Sequence, residues 1–501
     1  MRIVTIGDQA LTIEELLEVA RGARVELDPE VGARIATSRG VVEAVLAGGE
    51  PVYGLNTGVG HMKDVRLPEE DLRRNQEMLL ITHASGIGDP LRPELVRAAM
   101  VVRLTGIARG GSGASPAIAQ ILAQMLNEGI PPVMPEGGSV GAGDLGQLAS
   151  VGLVAIGRGA AEHRGEVVPG AVALERAGIL PIELEPKDGL TIMSANGVSV
   201  GHGALVVSRS ELTAEGADVA VALSLEAIRG DPSIALPVVA AAKPFPGQIA
   251  SCRAITAALG GSDRMRPGEA GSVQDPLSFR VAPQVHGAFR EAASYARRAV
   301  EIELNGRNDN PLVSVEDGRM IHNGNFHPIV MAIAFDQLRV AIAHVGQISE
   351  RRMSHLWDAV FAQMEGLGPL AASAEPPPMY GLSLRYSAAA LVAELKQLAS
   401  PSTLDVPPLD IGIEDHATNA PLAVRKTEEA LAMLEGLLAI EMLLARDVLG
   451  VGGPVPALGA GTGAAVARIE GAIAALGGDR STADVHRAVR NSLFADEGRD
   501  P

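Results

Sequence analysis

The chain has 501 residues, with 42 Lys+Arg against 60 Asp+Glu and a formal net charge of -18 at pH 7. A surface this acidic repels nucleic acid and anionic lipid, and no basic run offsets it. The lone Cys252 excludes an internal disulfide, and no cysteine cluster points to zinc.

The N-terminus, Met1-Arg2-Ile3-Val4, has no long apolar stretch and no cleavage site, so no leader is expected. Arg2 to Ile6 predicts one short strand. Beyond it, helical periodicity dominates the chain. Met331, Phe335, Leu338, Ile342, Val345 and Ile348 recur three or four residues apart, as do Leu431, Leu434, Leu438, Met442, Ala445 and Leu449. Both segments predict long helices at the centre of a bundle. Hydrophobic residues make up 47% of the chain, which calls for a helical core or a large subunit interface. The apolar runs are interrupted well before the roughly 18 residues that a membrane span needs, and the expected location is the cytoplasm.

Glycine and proline punctuate the rest. Gly137-Gly138-Ser139-Val140-Gly141-Ala142-Gly143 is too flexible for a helix interior. Glu375-Pro376-Pro377-Pro378 marks a loop, and Gly453-Pro454 through Gly463 separates the last long helix from a short tail. The predicted division is an N-terminal part (1–200), a central long-helix bundle (201–450) and a C-terminal cap (451–501).

Four places could carry chemistry. Tyr53-Gly54-Leu55-Asn56-Thr57-Gly58-Val59-Gly60 sets a tyrosine among glycines. This is either a surface turn, which composition favours, or a phenol held as a general base. Thr82-His83 offers a lone histidine that is either a satisfied structural residue, the commoner case, or a catalyst. Arg280 is either an ion-pair residue or a bidentate clamp for a carboxylate. Glu414-Asp415-His416 places two carboxylates beside an imidazole; on a helix these would diverge, so one or two at most share a site. No metal site is evident.

The order of these segments resembles the histidine/phenylalanine ammonia-lyase family from about Tyr53 to Arg446. The stretches that carry the resemblance are YGLNTGVG (53–60), THASGIG (82–88), GGSVGAGDL (137–145), QDPLSFR (274–280), PQVHG (283–287), NDNPL (308–312), GNFH (324–327), SERR (349–352) and IEDH (413–416). The resemblance implies a mainly α, fumarase/aspartase-like fold with a central long-helix bundle. It also implies a homotetramer in which three subunits build each active site. The family makes an electrophile, methylidene-imidazolone, from its own Ala-Ser-Gly and uses it to activate ammonia as a leaving group. By position, Tyr53 resembles the catalytic base, Arg280 the carboxylate clamp, Asn196 the asparagine beside the cofactor, and Phe326 a pocket wall. Thr82, His83 and Glu414 match the histidine-specific pattern, and a carboxylate facing an imidazole N–H suits a histidine-like substrate.

Two positions depart from the family. The loop Gly141-Ala142-Gly143 lacks the serine between alanine and glycine, so no such cofactor is expected by the usual route. Leu277 stands where the family has a second tyrosine. Three readings are open. The first is a lyase that needs no electrophile because its leaving group is already good, such as trimethylamine from a histidine betaine (ergothioneine or hercynine). A family member that cleaves ergothioneine dispenses with the cofactor, and Leu277 would then offer a wall to three methyl groups. The second is a conventional histidine ammonia-lyase giving urocanate and ammonia. The third is an inactive binding homologue on the same scaffold. The expected partners are a small imidazole amino acid or betaine and further copies of the chain.

Overall fold

The expected N-terminal strand is present: β1 (Ile3–Ile6) pairs in parallel with β2 (Arg24–Leu27). The computed structural model describes residues 2–263, 270–367, 379–404, 406–451, 457–478 and 480–494. The predicted loop at 375–378 and the Gly453-Pro454 break lie outside them. Apart from β1–β2, the strands form three antiparallel pairs: β3 (Ile87–Pro90) with β4 (Pro135–Gly137), β5 (Ala160–His163) with β6 (Glu166–Pro169), and β7 (Leu312–Ser314) with β8 (Arg319–Ile321). The rest is mainly helix, as the periodicity requires.

Local chemistry sets the early helix ends. In α1 (Ile13–Ala20), Thr12 and Glu15 form a reciprocal capping box, with Glu15 N–H donating to Thr12 Oγ1 at 3.2 Å and Thr12 N–H donating to Glu15 Oε2 at 3.0 Å. Asp28 caps α2 (Pro29–Gly48), whose first residue is a proline that needs no donor. Next come α3 (Leu72–His83), α4 (Pro93–Ala108), α5 (Pro116–Asn127), α6 (Leu145–Ala155), α7 (Gly170–Arg176), α8 (Asp188–Met193) and the long α9 (Gly197–Ile228). They are followed by α10 (Pro237–Ala242), α11 (Pro246–Ala258), α12 (Leu277–Arg280), α13 (Ala282–Leu304) and α14 (Ile329–Leu367). The last are α15 (Tyr380–Ser383), α16 (Arg385–Leu398), α17 (Ala420–Gly450), α18 (Ala460–Ala475) and α19 (Thr482–Phe494).

The compact units are discontinuous in sequence, unlike the contiguous division 1–200, 201–450 and 451–501. One comprises Met1–Val206, Arg297–Ala334 and Pro401–Arg425; the other comprises Val207–Ala296, Phe335–Ser400 and Lys426–Pro501. The physical reason is helix length. At 1.5 Å per residue α14 is roughly 58 Å long, and α9, α13, α14 and α17 each cross a unit boundary.

The first unit is built around α4, in which every residue from Leu95 to Ala108 is buried. Its interior also holds charge. Arg103 is paired with Asp309 at 2.7 Å, both shielded from solvent. Asp188 accepts from the Ser115 N–H and hydroxyl at 2.8 and 2.7 Å and from the Glu185 N–H at 2.9 Å. Nearby on α13, burial pushes the Glu303 carboxyl up to about 7, opposed by a hydrogen bond from Asn308. A carboxyl raised on folding favours the protonated native state. Its contribution is present below the unfolded value of 4.5 and is lost as pH rises through about 7. Glu303→Gln should therefore leave stability unchanged near pH 4 and raise it at pH 8 by up to roughly 3 kcal/mol. Urea unfolding at the two pH values checks this, and an equal effect at both would reject it.

In the second unit the predicted stripes are buried. Phe335, Leu338, Ile342 and Val345 of α14, and Leu431, Leu434, Leu438 and Ala445 of α17, are all shielded from solvent. The stretch 188–228 and α14 are both long and apolar enough to cross a membrane, but the apolar window of the first is wholly buried, as in a core helix. Arg352 of the SERR stretch is bidentate to Glu441 at 2.6 and 2.8 Å. His286 of the PQVHG stretch is fully buried with Nδ1 2.8 Å from Asp218 Oδ1, a packing role. The segment after 451 contributes the two helices α18 and α19.

Candidate active site

A cavity of about 570 Å³ in the first unit gathers the segments singled out in the sequence. Its walls include Tyr53, His61, Thr82, His83, Ser139, Ala142, Gly143, Asp410 and Glu414. Tyr53 follows α2 in the glycine-containing turn, and its hydroxyl oxygen accepts from the Gly60 N–H at 3.1 Å. Burial pushes the phenol above its ordinary value. The charges of Glu414 and Asp410 add to this, and the Gly60 N–H works against it.

Thr82 and His83 form the end of α3. The Thr82 hydroxyl donates to Met78 O at 2.8 Å, and His83 Nδ1 lies 2.8 Å from Leu79 O.

Residues 409–416 correct the helical reading of Glu414-Asp415-His416. Leu409 and Glu414 form an antiparallel bridge, with N–H···O distances of 2.8 and 3.2 Å, closing a tight turn through Asp410–Gly412, and Asp415 and His416 follow outside any helix. Glu414 lines the cavity, whereas His416 Nδ1 lies 2.8 Å from His327 Nε2. Burial, then the influence of Asp410, raises the Glu414 carboxyl above its usual range, while His83 opposes them. Burial and His416 lower His327.

The loop Gly141-Ala142-Gly143 forms another part of the wall. Gly141 has φ +79°, and a Cβ there would collide with Thr418 Oγ1, which donates to Gly141 O at 2.8 Å. Asn196, fully buried, accepts from the Gly143 N–H at 3.2 Å and donates to Phe326 O at 2.8 Å. It braces the loop from behind. The Phe326 ring stacks on His327, with centroids 6.4 Å apart, and is not among the cavity walls. Ser139 is the loop's only serine. Its hydroxyl donates to Asp144 Oδ1 at 2.7 Å and accepts from the Gly141 N–H at 3.1 Å. It is flanked by Gly138 and Val140, so the residues present do not fit the electrophile that the family makes from Ala-Ser-Gly.

Leu277 and Arg280 belong to the second unit, on α12. Leu277 is 62% exposed. Arg280 Nε donates to Asp275 O at 2.8 Å, and its terminal nitrogens meet the Gln274 amide oxygen once that amide is turned. His61 and Asp410 also line the cavity and were not anticipated from the sequence. An acidic residue four positions before Glu414 was a weak signal. His61, just past the glycine turn, gave none.

The sequence model of the aromatic amino acid lyase family matches residues 11–471. The chain is 38% identical to a histidine ammonia-lyase of Stigmatella aurantiaca over 489 residues, covering 97% of this chain and 94% of that one. It is 39% identical to the Gloeobacter violaceus histidine ammonia-lyase over 500 residues, covering 97% and 95%. Among solved structures it is similar to the ergothioneine-degrading enzyme ergothionase of Treponema denticola, solved with desmethyl-ergothioneine sulfonic acid. That likeness has a TM-score of 0.89 at 28% identity and covers 99% of this chain and 100% of that one.

Proposed function

The chain belongs to the aromatic amino acid lyase family and is a carbon–nitrogen lyase, and from that premise we propose that it eliminates trimethylamine from a histidine betaine, of the ergothioneine or hercynine type, without methylidene-imidazolone. The observation that carries this reading is the loop Gly141-Ala142-Gly143: it lacks the serine the electrophile needs, yet it sits in a cavity that keeps Tyr53 and Glu414.

The leaving group explains how the rest can survive that loss. A primary ammonium carries N–H protons more acidic than the β C–H, so a base removes those first. A quaternary nitrogen has none. The Tyr53 phenolate takes the β-proton, and the C–H electron pair becomes the Cα=Cβ bond. The Cα–N bond breaks, and its pair departs with neutral trimethylamine. The product is a urocanate-type acid.

The charges in the cavity suit such a substrate. Glu414, on the cavity wall, favours a cation. A permanent positive charge beside Tyr53 would also bring down a phenol that burial holds high. In this reading Arg280 holds the carboxylate and Leu277 faces the methyl groups, both supplied to the cavity by a neighbouring subunit of a homotetramer. The exposed apolar residues Val330, Ile333 and Val340 of α14 are consistent with such an assembly.

A second reading, histidine ammonia-lyase activity, is favoured by the near full-length identity to those enzymes. Incubation with ergothioneine, hercynine and histidine separates the two. The expected result is trimethylamine and an unsaturated imidazole acid from a betaine, with histidine unchanged. Urocanate from histidine, together with a near-ultraviolet band in the native-minus-denatured spectrum, would establish the second reading instead.

A further inference from the structure

We propose that Asp410 is a positioning residue for Tyr53, acting through His61 and the turn at residues 60–62. The proposal rests on Tyr53 being the base of the reaction, a role assigned above by family position.

The bonds form a short chain. Asp410 accepts from the His61 N–H at 2.7 Å through Oδ2 and lies 2.6 Å from His61 Nδ1 through Oδ1. Both carboxylate oxygens are thus committed to one residue, 349 positions away in sequence. The preceding amide, Gly60 N–H, is the one that donates to Tyr53 Oη at 3.1 Å. Gly60 and His61 share the 3-10 turn Gly60–Met62. Holding the His61 amide therefore restrains the peptide next to the one that presents the Gly60 N–H to the phenol, the two planes meeting at the Gly60 Cα.

The fit at this contact is close. Gly60 has φ +58°, and a Cβ there would overlap the Asp410 carboxylate. The turn and the carboxylate approach one another as only a glycine permits. Asp410 has φ +48° and Ile411 φ +57°, left-handed conformations uncommon outside glycine and rare for a β-branched residue. Such conformations persist where the surroundings enforce them. The strain lies in the turn that directs Asp410 toward His61, between the bridge residues Leu409 and Glu414. One carboxylate thereby joins the loop of the base to the loop of the ring-facing Glu414.

Asp410 acts on Tyr53 in two opposed ways. Its negative charge disfavours the phenolate, and the N–H it holds in place favours it. The hydrogen bond is the larger of the two. This opposition gives a signature that simple structural support would not. Asp410→Ala removes both the charge and the anchor, so the Tyr53 phenol should titrate at higher pH than in the unmodified protein. Asp410→Asn removes the charge but keeps an oxygen for the His61 N–H, so the phenol should titrate at lower pH.

The titration is read from phenolate absorbance in the full-length protein. The Tyr53 component is obtained by subtracting the same titration on the Tyr53→Phe variant. No substrate is needed, so a failure of the betaine reading leaves this test intact. Turnover is the second readout, with whichever substrate is processed. Asp410→Ala should lower kcat about tenfold or more with KM within about threefold, since a displaced base costs the chemical step, and Asp410→Asn should recover most of kcat. Shifts of both variants to lower pH would show that Asp410 acts by charge alone. An unmoved titration with unchanged kcat would show no link between Asp410 and Tyr53. Either result overturns the proposal.

Discussion

Tyr53→Phe is expected to lower kcat for the elimination by about 10²- to 10⁴-fold while leaving substrate affinity within a fewfold, because it removes the proton acceptor and little else. The phenol oxygen is held by one donor, the Gly60 N–H, so its loss disturbs no larger network. The pH dependence supplies a sharper check. A base must be deprotonated to act, so kcat/KM should rise with pH. Burial and two neighbouring carboxylates raise the phenol above its ordinary value of 10.0 in the free protein, which places that limb in the alkaline range. With a betaine bound, its fixed positive charge favours the phenolate. The limb in kcat should then lie at lower pH than the limb in kcat/KM, which reports the free enzyme. Coincident limbs, or a limb that survives in Tyr53→Phe, would assign the base elsewhere.

The largest stability effect is expected at Glu441→Ala, about 3–5 kcal/mol of destabilisation. Glu441 is shielded from solvent and accepts four hydrogen bonds. Arg352 donates at 2.6 and 2.8 Å, Ser224 at 2.7 Å and Ser349 at 2.6 Å. Removing the carboxylate leaves a buried guanidinium whose remaining bond is to Ser278 O at 3.0 Å. Replacing both partners by apolar groups of similar volume, as in Arg352→Met with Glu441→Leu, should recover much of the loss, since desolvating an ion pair offsets its attraction. Chemical denaturation of the two singles and the double reads the coupling. A double variant as unstable as the sum of the singles would mean that the two side chains do not act as a pair.

The helices were legible because their signal is local. A 3.6-residue repeat of apolar side chains is written within one segment, and Phe335 to Val345 and Leu431 to Ala445 fill the positions that the repeat assigns. The family was legible from ordered motifs, and so were the lost serine and Leu277. Tyr53, Thr82, His83 and Glu414 meet at one cavity, as the motif order implied. Asn196 was singled out by family position as the asparagine beside the cofactor, but its contact with the degenerate loop, the Gly143 N–H, could not be read from the chain.

The helical class, the family and the lost serine were thus written in the sequence alone, because these rest on residue types and short spacings. Tertiary structure alone decided which members of each motif share a site. It folded 409–414 into a tight bridged turn in place of a helix, and it set Glu414 at the cavity while His416 meets His327. It joined His61 to Asp410 across 349 residues. It also assembled each compact unit from three separate stretches of chain. Such contacts leave no periodic trace, because they depend on where long helices return the chain and not on what lies beside a residue in sequence.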